Sequence, residues 1–519
     1  MSTTAVRETV AAPSANRGST TSRRTRSRLP VAVVVALLAG AAAAAWSPFV
    51  AGPLSSDEGG FLLVASQWSP GTSLYGDYWV DRPPLLIGLF GLADLGGGAV
   101  ALRLLGILAV VASVFLAAGI GRLVAPRTRT APVLADATAA VFLSTPLFGT
   151  TEVDGELLGV PFVLAGLIAV LRGSAARDGR WSTAWWLAAG LLATAAAAVK
   201  QGILEVFVAA AVAVGWLLWT RQPGRAVRAS VGFALGCAAA TAALLWWAAA
   251  HGTYPAALWD AVVSFRAEAD AVISASAPSS TDRRGVVLAL AFLASGAAAV
   301  LVAALAPSRR RRERLGSAPL AGGGCDVRLL AGGVLAWEHA VVAGGGSYWL
   351  HYLLGTVPGL VLVVTAAVCH RPWRRRWIAV SLGYAALVAV VAVVALAAGA
   401  RGGRTDLQVE RYLVEHAQPG DTGVTAFGDP AILQAAHLRS PYPQLWSLPV
   451  RVRDPRLGRF TRVLAGPERP TWVIVSGGSL GTWGVDPRSA EPVLTHRYHL
   501  VHVVGDWHLY HLDPGRSRA

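Results

Sequence analysis
Long apolar runs broken by short polar stretches organise most of this chain. Eleven runs reach or approach membrane-spanning length, near 30–50, 99–121, 131–148, 155–171, 184–199, 202–219, 229–250, 285–306, 327–344, 350–369 and 377–399. A helix rises about 1.5 Å per residue, so roughly 20 apolar residues cross the hydrocarbon core of a bilayer. Each run is therefore expected to be a transmembrane helix. A further apolar stretch at 83–95 is too short to cross and opens with Pro83-Pro84. It reads either as a helix lying in the interface, with proline setting its first turn, or as a plain loop.

The pattern changes after residue 400. A polar segment of helical period, "DLQVERYLVEHA", is followed by a Pro419-Gly420 turn and by four strand-like segments, "TGVTAF", "TWVIVS", "YHLVHVV" and "WHLYHL". Residues 401–519 are expected to form a small extracytoplasmic α/β domain, 29–400 a transmembrane domain, and the Ser-, Thr- and Arg-rich 1–28 a disordered cytoplasmic arm.

Composition agrees with the apolar pattern: 54% of residues are hydrophobic and 14% charged, more apolar than a soluble core requires. The net charge of +15 would suggest nucleic acid in a soluble chain. Here the arginines cluster between apolar runs, so they orient helices and nucleic acid is not expected. Arg23, Arg24, Arg26 and Arg28 precede the first run, and clusters follow every second one: Arg122/Arg127/Arg129, Arg172/Arg177/Arg180, Arg221/Arg225/Arg228, Arg309 to Arg312, and Arg371/Arg374/Arg375/Arg376. The positive-inside rule then places a multi-pass protein in the plasma membrane with a cytoplasmic N-terminus and an external C-terminal domain. "LLAGAAAAAW" offers small-residue cleavage sites, but the first run is long and its removal would misplace the first loop, so it is expected to stay. Cys237, Cys325 and Cys369 lie far apart and indicate neither a zinc site nor a disulfide framework.

With that orientation the outer loops hold most of the acids. The first carries Asp57, Glu58, Asp77, Asp81 and Arg82, and the second Glu152, Asp154 and Glu156. The third is a tight turn with Gln201 and Lys200, the only lysine in the protein. A lysine at a helix end often snorkels to the headgroups, but it is also a compact point charge that reaches a phosphate. The fourth loop holds "ALWDAVVSFRAEADAVIS", where Leu258, Val262, Phe265, Ala269 and Val272 recur at helical spacing and predict an interfacial helix. The last contains "GGGSYWLHYLLGTVPGL", in which an aromatic belt accounts for Tyr348, Trp349 and Tyr352 better than for His351. Asp57-Glu58 has two readings, a pair of helix-capping acids or site carboxylates. Charges gathered on one face argue for interfacial chemistry. Arg103, Glu205, Glu338 and His339 fall in or near spans and keep a transporter reading open, with a non-catalytic envelope scaffold as a third.

These residues resemble a known family, the polytopic GT-C type glycosyltransferases that use polyprenyl-phosphate sugars, which includes protein O-mannosyltransferases and the lipid A aminoarabinose transferase. "DE" at 57–58, "WVDRPPLLIGLF", "AVALRLLGILAVVASVFLAAGIGRLV", "DGELLGVPFVLAGL", "LLATAAAAVKQG" and "HYLLGTVPGL" resemble its elements in order across most of residues 30–370. Asp81-Arg82 stands where Glu-Lys is common, and Gln201 where Gly is common; charge signs are kept, so these departures bear on sugar and acceptor, not on reaction class. The resemblance implies a polytopic helical fold and transfer, inverting in the reading taken here, from a lipid-phosphate sugar to a lipid, polysaccharide or protein acceptor. Asp57 would be the base, and Arg82 and Lys200 would bind the donor phosphate. Glu58, Asp81, Glu152, Asp154, Glu156, His351 and Tyr352 would serve acceptor, sugar hydroxyls or a divalent cation. Mg²⁺ or Mn²⁺ would suit such carboxylates, although no spacing demands a metal.

Overall fold
A computed structural model describes residues 29–67, 74–75, 77–276, 278–306, 324–370, 372–399 and 404–513; the expected arm at 1–28 and the arginines at 309–312 lie outside them. All eleven apolar runs contain helix, but not all are full spans. Among the described residues eight helical segments are long and apolar enough to cross a membrane. They contain α1 (Val31–Trp46), α4 (Ala99–Val124), α6 (Gly155–Ala175), α7 (Gly179–Val199), α9 (Pro223–Ala250), α14 (Val327–Gly344), α15 (Val357–His370) and α16 (Arg375–Gly399). A ninth is bent by 60° between α12 (Pro278–Ala294) and α13 (Ala297–Leu305), where Gly296 takes φ +85°. The other two expected spans are shorter: α5 (Thr130–Phe142) stops before extended Thr145 and Pro146, as the residue preceding proline avoids helical backbone, and α8 (Glu205–Trp219) begins only after the 200–204 turn.

The helices pack closely where small residues allow it. A Cβ added to Gly190 of α7 would lie 2.1 Å from the Phe233 carbonyl oxygen of α9, and one added to Gly236 of α9 would lie 2.1 Å from that of Leu187. Backbones in such contact replace the hydrophobic driving force that lipid does not supply. At the periphery, α16 exposes Val380, Leu387, Val390, Val391 and Val394, a surface suited to lipid tails.

Shorter helices sit beside the spans. The stretch at 83–95 is helical, α3 (Pro84–Leu95), burying Leu86, Ile87 and Phe90. α2 (Ser56–Gln67) carries the two adjacent acids in its first turn. The expected fourth-loop helix runs as α10 (Pro255–Trp259), a π-helical turn Asp260–Ser264 and α11 (Phe265–Ser276), with Phe265 and Ala269 buried.

Beyond α16, α17 (Thr405–His416) precedes a four-stranded sheet of β1 (Gly423–Ala426), β2 (Trp472–Ser476), β3 (Tyr498–Val504) and β4 (Trp507–Leu512) in the order β1-β2-β4-β3. β1 and β2 are parallel and the other pairs antiparallel. Alternation divides β2 between two cores: Val473 and Val475 join Phe427, Tyr442 and Phe460, whereas Trp472 and Ile474 join a core continuous with Leu62 and Phe90 of the helical part. α18 (Ala431–Ala435) and α19 (Ser447–Arg453) follow β1.

Candidate active site
The first turn of α2 separates the two adjacent acids. Glu58 Oε2 accepts from the Ser55 backbone N–H at 2.9 Å while Ser55 Oγ accepts from the Glu58 N–H at 3.3 Å, a reciprocal capping box. Glu58 is fully buried and pairs with Arg103 of α4 at 2.7 Å, and its Oε1 accepts from the Val153 N–H at 2.8 Å. Arg103 also donates to the carbonyls of Thr151 and, at 3.2 Å, Pro53. Glu58 is thus committed to a bracket that joins the 53–58 and 151–153 loops. Burial lifts its carboxyl to about 7, with Arg103 and the two backbone N–H groups pulling it back.

Asp57 is left uncommitted, among Arg82, His351, Glu152 and Asp81. Among the described residues its carboxylate makes no hydrogen bond or ion pair. Burial raises its pKa; Arg82 and His351 oppose that shift, and Glu152 and Asp81 add to it. The carboxylate is therefore a stronger base than a solvated aspartate and lies in the field of each of these groups.

Arg82 is fixed from several sides. It pairs with Asp81 at 2.5 Å, lies 5.6 Å above the Phe61 ring, and its carbonyl accepts from the Tyr75 hydroxyl at 2.9 Å. Asp81 also takes Arg266 of α11 at 3.1 Å, and Gln201 donates to its carbonyl at 3.3 Å. Burial works against ionisation of Asp81, but Arg82 and Arg266 outweigh it and hold the carboxyl below its ordinary range.

The second group of residues gathers at the start of α6. Asp154 caps that helix through Oδ1, which accepts from the Leu157 N–H at 2.8 Å. His351 Nδ1 lies 3.4 Å from Glu152 Oε1 and 3.6 Å from Asp154 Oδ2. Lys200, at the end of α7, bonds Glu156 and sits 4.6 Å over the Tyr352 ring, which is edge-on to His351 at 5.2 Å. Burial pushes Asp154 up to about 8 against the pull of His351, whereas Glu152 is held low because His351 outweighs its burial. Donor atoms of Asp154, Glu156 and His351 all lie within 4.8 Å of one another, and Asp154 Oδ2 is buried without a hydrogen-bond partner. This cluster could hold a metal ion.

The fold brings Asp57, Asp81, Arg82, Glu152, Asp154, Glu156, Lys200, His351 and Tyr352 into one cluster, with Glu58 turned into the protein beside it. Arg103 and Arg266 are the partners that spacing alone left out: Arg103 because it sits within an apolar run, Arg266 because it sits within a stripe read only as an interfacial helix. Glu338 lies elsewhere, accepting from the Gly359 N–H at 2.7 Å, and His339 is an exposed side chain bonded to the Leu335 carbonyl.

No model of a known protein family matches the sequence, and no curated protein matches it. Among solved structures, ArnT from Cupriavidus metallidurans bound to undecaprenyl phosphate superposes with a TM-score of 0.60 at 13% identity, covering 94% of this chain and 98% of that one. ArnT from the same organism in the apo state gives 0.57 at 12% identity, covering 94% and 99%. Over nearly its whole length, then, this multi-pass membrane protein has the GT-C-like fold of ArnT.

Proposed function
We propose that this protein is an integral membrane glycosyltransferase that moves a sugar from a polyprenyl-phosphate donor to a cell-envelope acceptor, inverting the anomeric carbon on the outer face of the plasma membrane. One observation carries the reading: Asp57, a carboxylate without a partner among the described residues, shares that cluster with fixed cations in a fold whose relative was solved with undecaprenyl phosphate bound. The arginine clusters in the sequence support that orientation, and a site on that face would have no nucleotide sugar at hand, so its donor would arrive through the membrane on a lipid phosphate.

In this mechanism Asp57 takes the proton of the acceptor hydroxyl as its oxygen attacks the anomeric carbon, assistance worth about 10²–10⁴ in rate. The bond from that carbon to the phosphate oxygen breaks, and its electron pair leaves with the polyprenyl phosphate. Arg82 and Lys200 meet the developing charge, the guanidinium able to fork across two oxygens. Each is tethered by a carboxylate, Asp81 or Glu156, so little reorganisation is required at the moment of transfer. Asp154, Glu156 and His351 would hold a divalent cation, Mn²⁺ suiting the mixed oxygen and nitrogen donors, and it would supply further charge stabilisation when bound.

The test is transfer of radiolabelled sugar from a panel of polyprenyl-phosphate sugars into membrane extracts, comparing wild type with Asp57→Asn at matched expression. Loss of at least a hundredfold in the variant supports Asp57 as the base. Equal transfer by both removes it from that role, and no transfer by either across the panel overturns the reaction class.

A further inference from the structure
The C-terminal domain touches the protein where Asp57 is presented. Ser56, the residue before Asp57, donates its hydroxyl to the Gly428 carbonyl at 2.8 Å. On the other side, a Cβ on Gly59 would fall 2.4 Å from Ala431 Cα, and one on Gly60 would fall 2.3 Å from the Trp446 ring and 2.7 Å from Pro430. The Trp446 ring packs 5.3 Å from Phe61, the ring beneath Arg82. The Trp79 N–H donates to the Pro443 carbonyl at 2.9 Å and Trp79 forms a parallel bridge with Gln444, while the Ser440 N–H donates to the Tyr78 hydroxyl at 2.7 Å. Arg453 completes the seam, pairing with Asp260 at 2.9 Å and Glu268 at 3.5 Å.

Asp429 sits in the middle of this seam, between Gly428 and Pro430, which both touch the α2 turn. Its Oδ1 accepts from the Ala431 N–H at 3.2 Å, a turn bond that holds the carboxylate just ahead of α18. It lies within electrostatic range of Asp57, and Asp406 and Arg404 lie near it in turn. The cations Arg82 and Lys200 are each already paired, with Asp81 and Glu156, whereas the carboxylates of Asp57 and Asp429 lie in each other's field without a cation bonded to either among the described residues.

We infer that the C-terminal domain completes the acceptor half of the site, with Asp429 as a positioning residue that holds a hydroxyl-rich, uncharged acceptor against Asp57. The inference rests on the glycosyltransferase reading. A carboxylate has acceptor capacity for two neighbouring hydroxyls, so Asp429 can orient a polyol terminus and leave its adjacent hydroxyl to Asp57. A phosphorylated acceptor would bring negative charge against both aspartates, and like charges at short range are strongly unfavourable.

The test compares Asp429→Asn, Asp429→Glu and Asp57→Asn with wild type in full-length protein, varying donor and a neutral glycan acceptor separately. Asp429→Asn is expected to raise the acceptor KM about tenfold, leave the donor KM unchanged and change kcat little, with partial recovery in Asp429→Glu. An unaltered acceptor KM in Asp429→Asn, or preference for a phosphorylated acceptor, overturns the inference; if Asp57→Asn is inactive at the same time, the glycosyltransferase reading survives. Transfer persisting in Asp57→Asn removes Asp57 as the base, and transfer absent from wild type fails the glycosyltransferase reading; either takes the inference with it. A Trp79→Cys/Gln444→Cys pair tests the docked arrangement, since bridged backbones bring two cysteines within disulfide reach. The oxidised protein is expected to keep transferring; activity lost on oxidation and restored by a thiol reductant would mean the domain must leave, which also overturns the inference.

Discussion

The Glu58–Arg103 bracket makes a sharp prediction because both partners are almost completely buried. At 2.7 Å and an effective dielectric of about 20, their Coulomb attraction is about 6 kcal/mol, much of it offset by desolvation of the two ions. Glu58→Gln keeps an acceptor for one backbone N–H but leaves the Arg103 guanidinium buried with only the Pro53 and Thr151 carbonyls. Breaking one side of such a pair costs about 3–5 kcal/mol, whereas replacing both with uncharged groups of similar size is close to neutral. Glu58→Gln and Arg103→Met should therefore each destabilise severely, and the double variant should be more stable than either. The assay is denaturant unfolding in mixed micelles at pH 8, above the value near 7 to which burial lifts Glu58, so that the pair is ionised. Transfer activity should follow the same order, because the bracket holds both loops that carry site carboxylates. A double variant that loses as much as the two single losses summed would refute the coupling.

Other tests address separate features. Glu58 and Asp154 are lifted to about 7 and about 8 from ordinary values of 4.5 and 3.8, so the folded protein binds more protons than the unfolded chain across that window. Their stabilising contribution is full below about pH 4 and is lost as pH rises through 7 and 8; thermal unfolding should show a higher midpoint at pH 5.5 than at pH 8.5, and the reverse order would contradict the assignment. Gly236→Ala drives a methyl against the Leu187 carbonyl and should cost about 1–3 kcal/mol, read as a lower unfolding midpoint with unchanged KM for the donor. Mn²⁺ added to chelator-treated protein should raise the midpoint, and His351→Gln should abolish that rise; equal rises in both would place the ion elsewhere.

Much of this architecture was legible in the chain. The apolar runs predicted the helices, and the four strand-like segments became the four strands of the C-terminal sheet, because both signals are local. The eleven expected spans exceed the eight or nine segments of sufficient length, since hydropathy is blind to where backbone breaks: Pro146 shortens α5, the 200–204 turn delays α8, and Gly296 bends α12 away from α13. The cluster was visible as a set of loop charges, but roles within it depend on partners distant in sequence. Nothing in "DE" distinguishes the residue that caps from the one left uncommitted; Arg103, 45 positions after Glu58, makes the difference. Arg103, within an apolar run, keeps a transporter reading open in the sequence; in the folded protein it is a buried cation paired with Glu58. Asp429 lay in a domain whose contact with the first loop no local pattern encodes.

The order of strands in the C-terminal sheet bears on how the protein is made. β4, the last element of the described chain, lies between β2 and β3, so the sheet cannot close until residues 507–512 have been synthesised. Until then Ile432, Leu433, Trp472 and Ile474 lack the neighbours that complete the core they share with the membrane helices. Asp57 is made well before this unit, yet the turn that bonds its neighbour Ser56 belongs to it. Assembly of the first loop and of the C-terminal sheet is thereby coupled in time: the contacts between them form only after β4 has been made.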